Sequence, residues 1–157
     1  MIEQIYTYFT IEIIFMWLNL GVLPFWLILI IFPQSQICRF FTTSIFPISI
    51  LSIVYGYLLY LFFNEGYDLF KNFELYLGLD ALGNLFTDKA FIILFWTHFL
   101  TINLFCGGWI VKDSQKFGIN KILISFPLLA TYFIGPIGLT LYWIIRIFYA
   151  KKISLYD

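Results

Sequence analysis

Charged side chains are absent from four long stretches, Ile13 to Phe32, Phe40 to Asn64, Ala90 to Val111 and Ile122 to Ile145, and every Lys, Arg, Asp and Glu lies between them or at their edges. A hydrocarbon core of about 30 Å needs roughly 20 apolar residues at 1.5 Å per residue, so each run is long enough to cross a bilayer as a helix. Backbone polar groups inside lipid must be satisfied within the chain. No alternating ten-residue pattern of a barrel is present, and helices are the remaining solution. The pattern therefore predicts an all-α fold: an integral membrane bundle of four transmembrane helices over about residues 11–32, 40–63, 90–111 and 121–149, in a single domain spanning 1–157.

The prolines and the connections add detail to that bundle. Pro24 falls inside the first run and Pro33 ends it, Pro47 sits early in the second, and Pro127 and Pro136 fall within the fourth. Each removes a backbone donor and crowds the preceding turn, so kinks are expected there, sharpest at Gly135, Pro136 and Gly138. Small residues at such a point favour close helix packing. The longest connection, Glu65 to Lys89, carries Leu79, Leu82, Leu85 and Phe86 at helical spacing, which predicts a short amphipathic helix lying at the interface between helices two and three. Four crossings would put the Lys112 to Lys121 connection and the Lys151-Lys152 pair on opposite faces. Arg39 with the first group then makes four basic residues, against five for Lys71, Lys89, Arg146, Lys151 and Lys152. On that count the positive-inside rule does not decide the orientation.

Composition narrows the environment. The 157 residues are 62% hydrophobic and 11% charged, with no net charge. The lipid bilayer is thus the first partner, and no basic stripe of the kind that neutralises phosphates points to nucleic acid. Met1 to Thr10 holds no Lys or Arg, and the first apolar run exceeds a signal-peptide core without a small-residue cleavage site, so it reads as a retained helix. A bacterial inner membrane and a plastid membrane both suit such a chain. Cys38 and Cys106 are neither clustered nor at a ligand spacing, giving no support for a disulfide or a metal. The 20 Phe and 11 Tyr fit lipid-facing packing, with a polyene pocket as the sharper alternative.

Polar groups at membrane depth are the natural site candidates, because each is costly unless paired. His98, the only histidine, lies near the middle of the third run and could carry a proton near neutral pH, or hydrogen-bond a neighbouring helix. Asn103 lies five residues on, about 140° away around an ideal helix, so the two face different neighbours. Asn19 and Asn103 both suit interhelical amide hydrogen bonds. Glu12 and Arg146 sit close enough to helix ends to reach an interface without a buried partner. No nucleophile elbow, phosphate loop or HExxH pair occurs, and no cofactor is expected.

The residue order in the second half is specific. Trp96-Thr97-His98-Phe99-Leu100-Thr101-Ile102-Asn103-Leu104-Phe105, then Gly108-Trp109-Ile110-Val111-Lys112-Asp113, then Gly135-Pro136-Ile137-Gly138-Leu139 and Arg146, resembles the ABA4-like family of membrane proteins. Leu23-Pro24-Phe25-Trp26 with Pro33, and Tyr55-Gly56-Tyr57-Leu58-Leu59, are similar to its first two helices, so the likeness covers roughly residues 10 to 150. Plant members are associated with converting violaxanthin to neoxanthin, an isomerisation that opens a carotenoid epoxide. The resemblance implies a protein acting on or binding a carotenoid or related isoprenoid lipid, or a non-catalytic pigment-binding or accessory subunit of a membrane complex or homo-oligomer. It implies catalytic roles for His98 and for Asn103, which stands where the family pattern has Asp. Asn19, Trp96, Trp109, Gly135, Pro136 and Arg146 are implied as ligand-binding or structural positions. An amide at 103 hydrogen-bonds but cannot serve as a carboxylate base.

Overall fold

The structure is a computed structural model and describes residues 9–42, 44–68, 70, 73 and 76–154, with Phe41 described by its backbone alone. Met1 to Tyr8 and Lys71, which entered the sequence reading, lie outside the described residues. Among those described, every regular element is helical: α1 (Ile11–Ile31), a π-helical turn (Cys38–Thr42), α2 (Phe46–Asn64), α3 (Leu79–Leu85), α4 (Lys89–Lys116), α5 (Lys121–Phe133) and α6 (Gly135–Ala150). The protein is an all-helical integral membrane protein. Three helices, α1, α2 and α4, are long and apolar enough to span a bilayer.

Two of the predicted spans differ at their ends for plain reasons. The second starts at Phe46 rather than near residue 40, because Cys38–Thr42 winds as a separate turn and Pro47 occupies the first turn of α2, where its missing N–H would bond nothing. Pro47 therefore opens a helix instead of kinking one. The third continues through Lys112 to Lys116, since charge stops a helix from being in lipid but does not stop it being a helix.

The fourth run is not one helix. α5 is 13 residues and α6 is 16, about 20 and 24 Å long, so neither alone matches a hydrocarbon core. The break falls at Ile134, with φ −142° and ψ 80°. Pro136, at the start of α6, cannot donate to the preceding turn and so begins a new helix. Ile134 N–H still donates to Ala130 O at 2.7 Å, and its carbonyl accepts from Ile137 and Gly138, so the turn leaves that residue's backbone paired.

The chain divides into two compact groups, Met1–Leu20 with Ile50–Leu100, and Gly21–Ser49 with Thr101–Asp157. In the first, α3 buries Leu85, and Phe86 meets Phe91 and Phe95 edge-to-face at 5.1 and 5.0 Å. The predicted helix in the long connection is thus present, though Leu79 at its start is exposed. Glu12 and Lys89 pair at 3.3 Å with both side chains mostly exposed, a contact that contributes little to stability.

In the second group, contacts give the register of four helical segments. Trp26 of α1 lies against Gly107 of α4 and edge-to-face with Tyr132 of α5, and Gln115 Nε2 donates to Pro33 O at 2.6 Å. Asn103, Trp109 and Asp113 of α4 meet Gly135, Tyr142 and Arg146 of α6 in turn. Matching numbers rise together, so α1, α4 and α6 run parallel while α5 runs against them. α5 and α6 form a hairpin that enters beside the Asp113 end of α4 and returns to it. From Asp113 to Asn103 is about 15 Å of helix, which is the distance from the base of the hairpin to its tip.

This hairpin overturns the placement of the basic segments on opposite faces. The Phe117 ring lies 5.5 Å from Lys116 Nζ and 5.7 Å from Lys152 Nζ, so the α4–α5 connection and the end of α6 share one end.

Candidate functional site

Two polar sets mark the hairpin, one at its tip and one at its base. At the tip, α6 begins opposite Asn103, whose side chain is buried at 5% exposure. Glycine is required there: a Cβ on Gly135 would overlap Asn103 Oδ1 and stand 3.2 Å from its Cγ. Pro136 follows in the first turn of α6, so its ring costs no hydrogen bond. The amide thus lies at the positive, N-terminal end of α6. Asn103 Nδ2 is buried and has no hydrogen-bond partner among the described residues. An unmet donor in that setting costs about 1–3 kcal/mol, more in lipid than at a surface.

At the base, Asp113 Oδ2 accepts from both Arg146 Nε at 2.7 Å and Tyr142 OH at 2.6 Å. The side chains of Arg146 and Asp113 are only 3% and 10% exposed, and Tyr142 is wholly buried. Arg146 also donates to Ser154 O at 3.0 Å and sits 4.8 Å from the Phe117 ring centre. Trp109 meets Tyr142 edge-to-face at 5.6 Å. Arg146 is therefore not the interface-reaching side chain expected from its position at a helix end. Asp113, two residues beyond the charge-free run of α4, supplies its counter-charge. Tyr142 was not singled out in the sequence, and Asp113 entered there only as the end of a family-like motif, with no role assigned. Their signal was present, since Tyr142 and Arg146 are four apart and share a helix face.

The other candidates lie in the first group. His98 is exposed on α4, and no hydrogen bond to it exists among the described residues. Its divergence from buried Asn103 follows the helical angle. Trp96 Nε1 donates to Asn19 Oδ1 at 3.2 Å, while Asn19 Nδ2 donates to Phe15 O at 2.7 Å, and the indole stacks with Phe99 at 5.2 Å. Asn19 is thus an interhelical amide, as its residue type suggested. Replacing it with Ala should cost about 1 kcal/mol in reversible unfolding from micelles, and Trp96→Phe should cost no further hydrogen bond in the double variant.

A family model described as ABA4-like, ABA DEFICIENT 4-like, matches residues 13–142. The chain belongs to the ABA4-like family. A curated relative, Protein ABA DEFICIENT 4, chloroplastic, from Arabidopsis thaliana, is 22% identical over 128 residues, covering 80% of this chain and 57% of the relative. The chain thus spans little more than half the length of that protein. No solved structure matches. His98, Asn103, Asp113, Gly135, Pro136 and Tyr142 all fall within the ABA4-like match, and Arg146 lies one turn past its end.

Burial pushes the Cys38 thiol up to about 11, so it is no nucleophile at neutral pH.

Proposed function

We propose that the protein binds an oxygenated isoprenoid lipid of the carotenoid class at the tip of the α5–α6 hairpin. The observation that carries this reading is the buried, unpartnered Nδ2 of Asn103 beside the N-terminus of α6. An amide donor and the positive end of a helix call for the same complement, an acceptor oxygen such as a hydroxyl or an epoxide. ABA4-like membership supports the ligand class, since the plant members of that family are associated with a carotenoid conversion. The Arabidopsis relative, named as chloroplastic, makes a plastid membrane the compartment we propose.

A second reading, epoxide isomerisation, is favoured by His98, which is exposed in the first half of α4 where a lipid-dissolved substrate can approach. In that reaction a base removes a proton from the polyene chain, the epoxide C–O bond opens, and the oxygen is protonated, with no net redox change. In that reading His98 would move the proton. Asn103 supplies no carboxylate for the base.

The test is pigment retention and turnover in cells that accumulate violaxanthin. Protein purified in mild detergent should carry pigment, and Asn103→Leu should retain about fivefold to tenfold less while remaining folded. Colourless wild-type protein from pigmented cells would remove the binding reading. Altered pigment in whole-cell extracts that disappears with His98→Gln would establish the second reading. An unchanged extract from inserted protein would reject it.

A further inference from the structure

The connection from Glu65 to Lys89 leaves one membrane-spanning helix, α2, and joins another, α4, and contacts within this one group hold both of its ends at the helix termini. After α2 the chain turns at Gly66, with φ 84°. Tyr67 N–H there donates back to Phe62 O at 2.8 Å, and the Tyr67 ring lies 6.2 Å from that of Phe62. At the other end α3 is pinned to the first two turns of α4, since Phe86 packs against Phe91 and Phe95 and Leu85 is buried. Leu85 and Phe86 are thus spent on protein contacts, and the apolar surface left open lies earlier in the connection.

That surface is largely aromatic. Phe70, Phe73, Tyr76, Leu77 and Leu79 are large and apolar, yet each is at least 67% exposed. Phe70, Phe73 and Tyr76 stand in 3₁₀ turns, where side chains three apart eclipse, and the first two rings stack at 6.2 Å with their planes 23° apart. Asp68 Oδ1 fixes the start of this stretch by accepting from Phe70 N–H at 2.9 Å, and Gly78, with φ 152°, turns the chain into α3 at its far end. Turned to water, five such side chains would make an apolar patch of the kind that marks an interaction surface. Tethered on both sides to membrane-spanning helices, they belong instead at the boundary between headgroups and acyl chains, where aromatic rings collect.

We infer that the edge formed by Phe70, Phe73, Tyr76, Leu77 and Leu79 is an interfacial foot, seated in the headgroup layer of lipids that carry no net charge. The apolar edge supplies the attraction to the bilayer, and the charge of the connection selects the lipid. From Glu65 to Lys89 the sequence carries Glu65, Asp68, Glu74, Asp80 and Asp88 against Lys71 and Lys89. A leaflet rich in anionic lipid disfavours such a segment by about threefold in occupancy for each net negative charge brought to its surface. Zwitterionic and sugar headgroups have no such field, so the foot settles there and withdraws from anionic patches.

The test places a nitroxide at Tyr76→Cys, with Asp80→Cys as the reference, in the full chain in phosphatidylcholine nanodiscs. Both are made on a Cys106→Ala background that keeps the buried Cys38. Collision with oxygen and with a water-soluble nickel chelate reports depth. The label at 76 should lie about 5–10 Å below the headgroup boundary, with the label at 80 at the aqueous surface. Adding Phe70→Ser/Phe73→Ser should lift the label at 76 into water, and mixing in phosphatidylglycerol should lower its immersed fraction about threefold or more. Nickel access at 76 equal to that at 80 in phosphatidylcholine overturns the foot. So does dipolar broadening between labels that vanishes on dilution with unlabelled chain, which would make a second copy the occupant. Immersion unchanged or deeper in phosphatidylglycerol overturns the lipid preference. If the substituted background fails to insert, hydroxyl-radical footprinting of the unsubstituted chain reads the same contrast. Tyr76 should be protected in phosphatidylcholine and oxidised about threefold faster with phosphatidylglycerol present, and equal rates overturn the proposal.

Discussion

Alanine at Gly138 should destabilise the folded protein by about 3 kcal/mol or more, the largest loss expected from adding one methyl group anywhere in this chain. A Cβ there would overlap Thr131, not at the end of a mobile side chain but at its backbone nitrogen as well as its hydroxyl. Overpacking a core ordinarily costs 1–3 kcal/mol because neighbours rotate away. Here they cannot, since Thr131 lies within α5 and its hydroxyl is tied to Pro127 O at 2.7 Å. Thr131 is fully buried, and α5 and α6 touch closely only because residue 138 has no side chain. The control is Gly56→Ala in α2, where nothing lies within 4 Å of the added atom and helix propensity predicts a gain of about 0.5–1 kcal/mol. Unfolding in mixed micelles, followed by circular dichroism, compares the two. Thr131→Ala should not rescue Gly138→Ala, because it removes the hydroxyl overlap and leaves the backbone overlap. Equal stability of the two glycine variants would mean that α5 and α6 do not approach as described.

The membrane character was legible because it depends on long sums: a run without charge is visible residue by residue. The doubling back at Ile134 was not, although Gly135, Pro136 and Gly138 marked the place. A proline within an apolar run bends some membrane helices and ends others, and the choice is made by what packs against the freed turn. Here Asn103 fills the space over Gly135 and Thr131 the space over Gly138, contacts between residues 32 and 7 positions apart that no local pattern announces. The same limit hid the base of the hairpin. Arg146 looked free to reach water because its partner, Asp113, stands 33 positions away on a different helix. His98 and Asn103 could be separated in advance since both lie on one helix of known pitch. Which of the two would be buried depended on the hairpin.

Breaking the Asp113–Arg146 pair from either side should cost about 3–5 kcal/mol, and removing both partners should cost less than removing one. The pair is 2.7 Å apart with both side chains at most one-tenth exposed, so a single substitution leaves a charge that cannot regain its water. Arg146→Met strands the carboxylate beside Tyr142, which still donates to it and moderates the loss. Asp113→Leu is the harsher change: it strands the guanidinium and leaves the buried Tyr142 hydroxyl without its acceptor. In the double variant Asp113→Leu/Arg146→Met no charge remains, and the interaction energy of the cycle should be favourable by about 2 kcal/mol or more. Asp113→Asn separates charge from shape, since an amide oxygen can still accept from Tyr142 while the attraction to Arg146 is lost. Its cost should fall between those of the wild type and Asp113→Leu. A base that serves only to brace the hairpin would show these losses in unfolding alone, with pigment retention at Asn103 falling in proportion to the unfolded fraction. Retention that drops in fully folded Asp113→Asn protein would instead tie the base of the hairpin to the ligand at its tip.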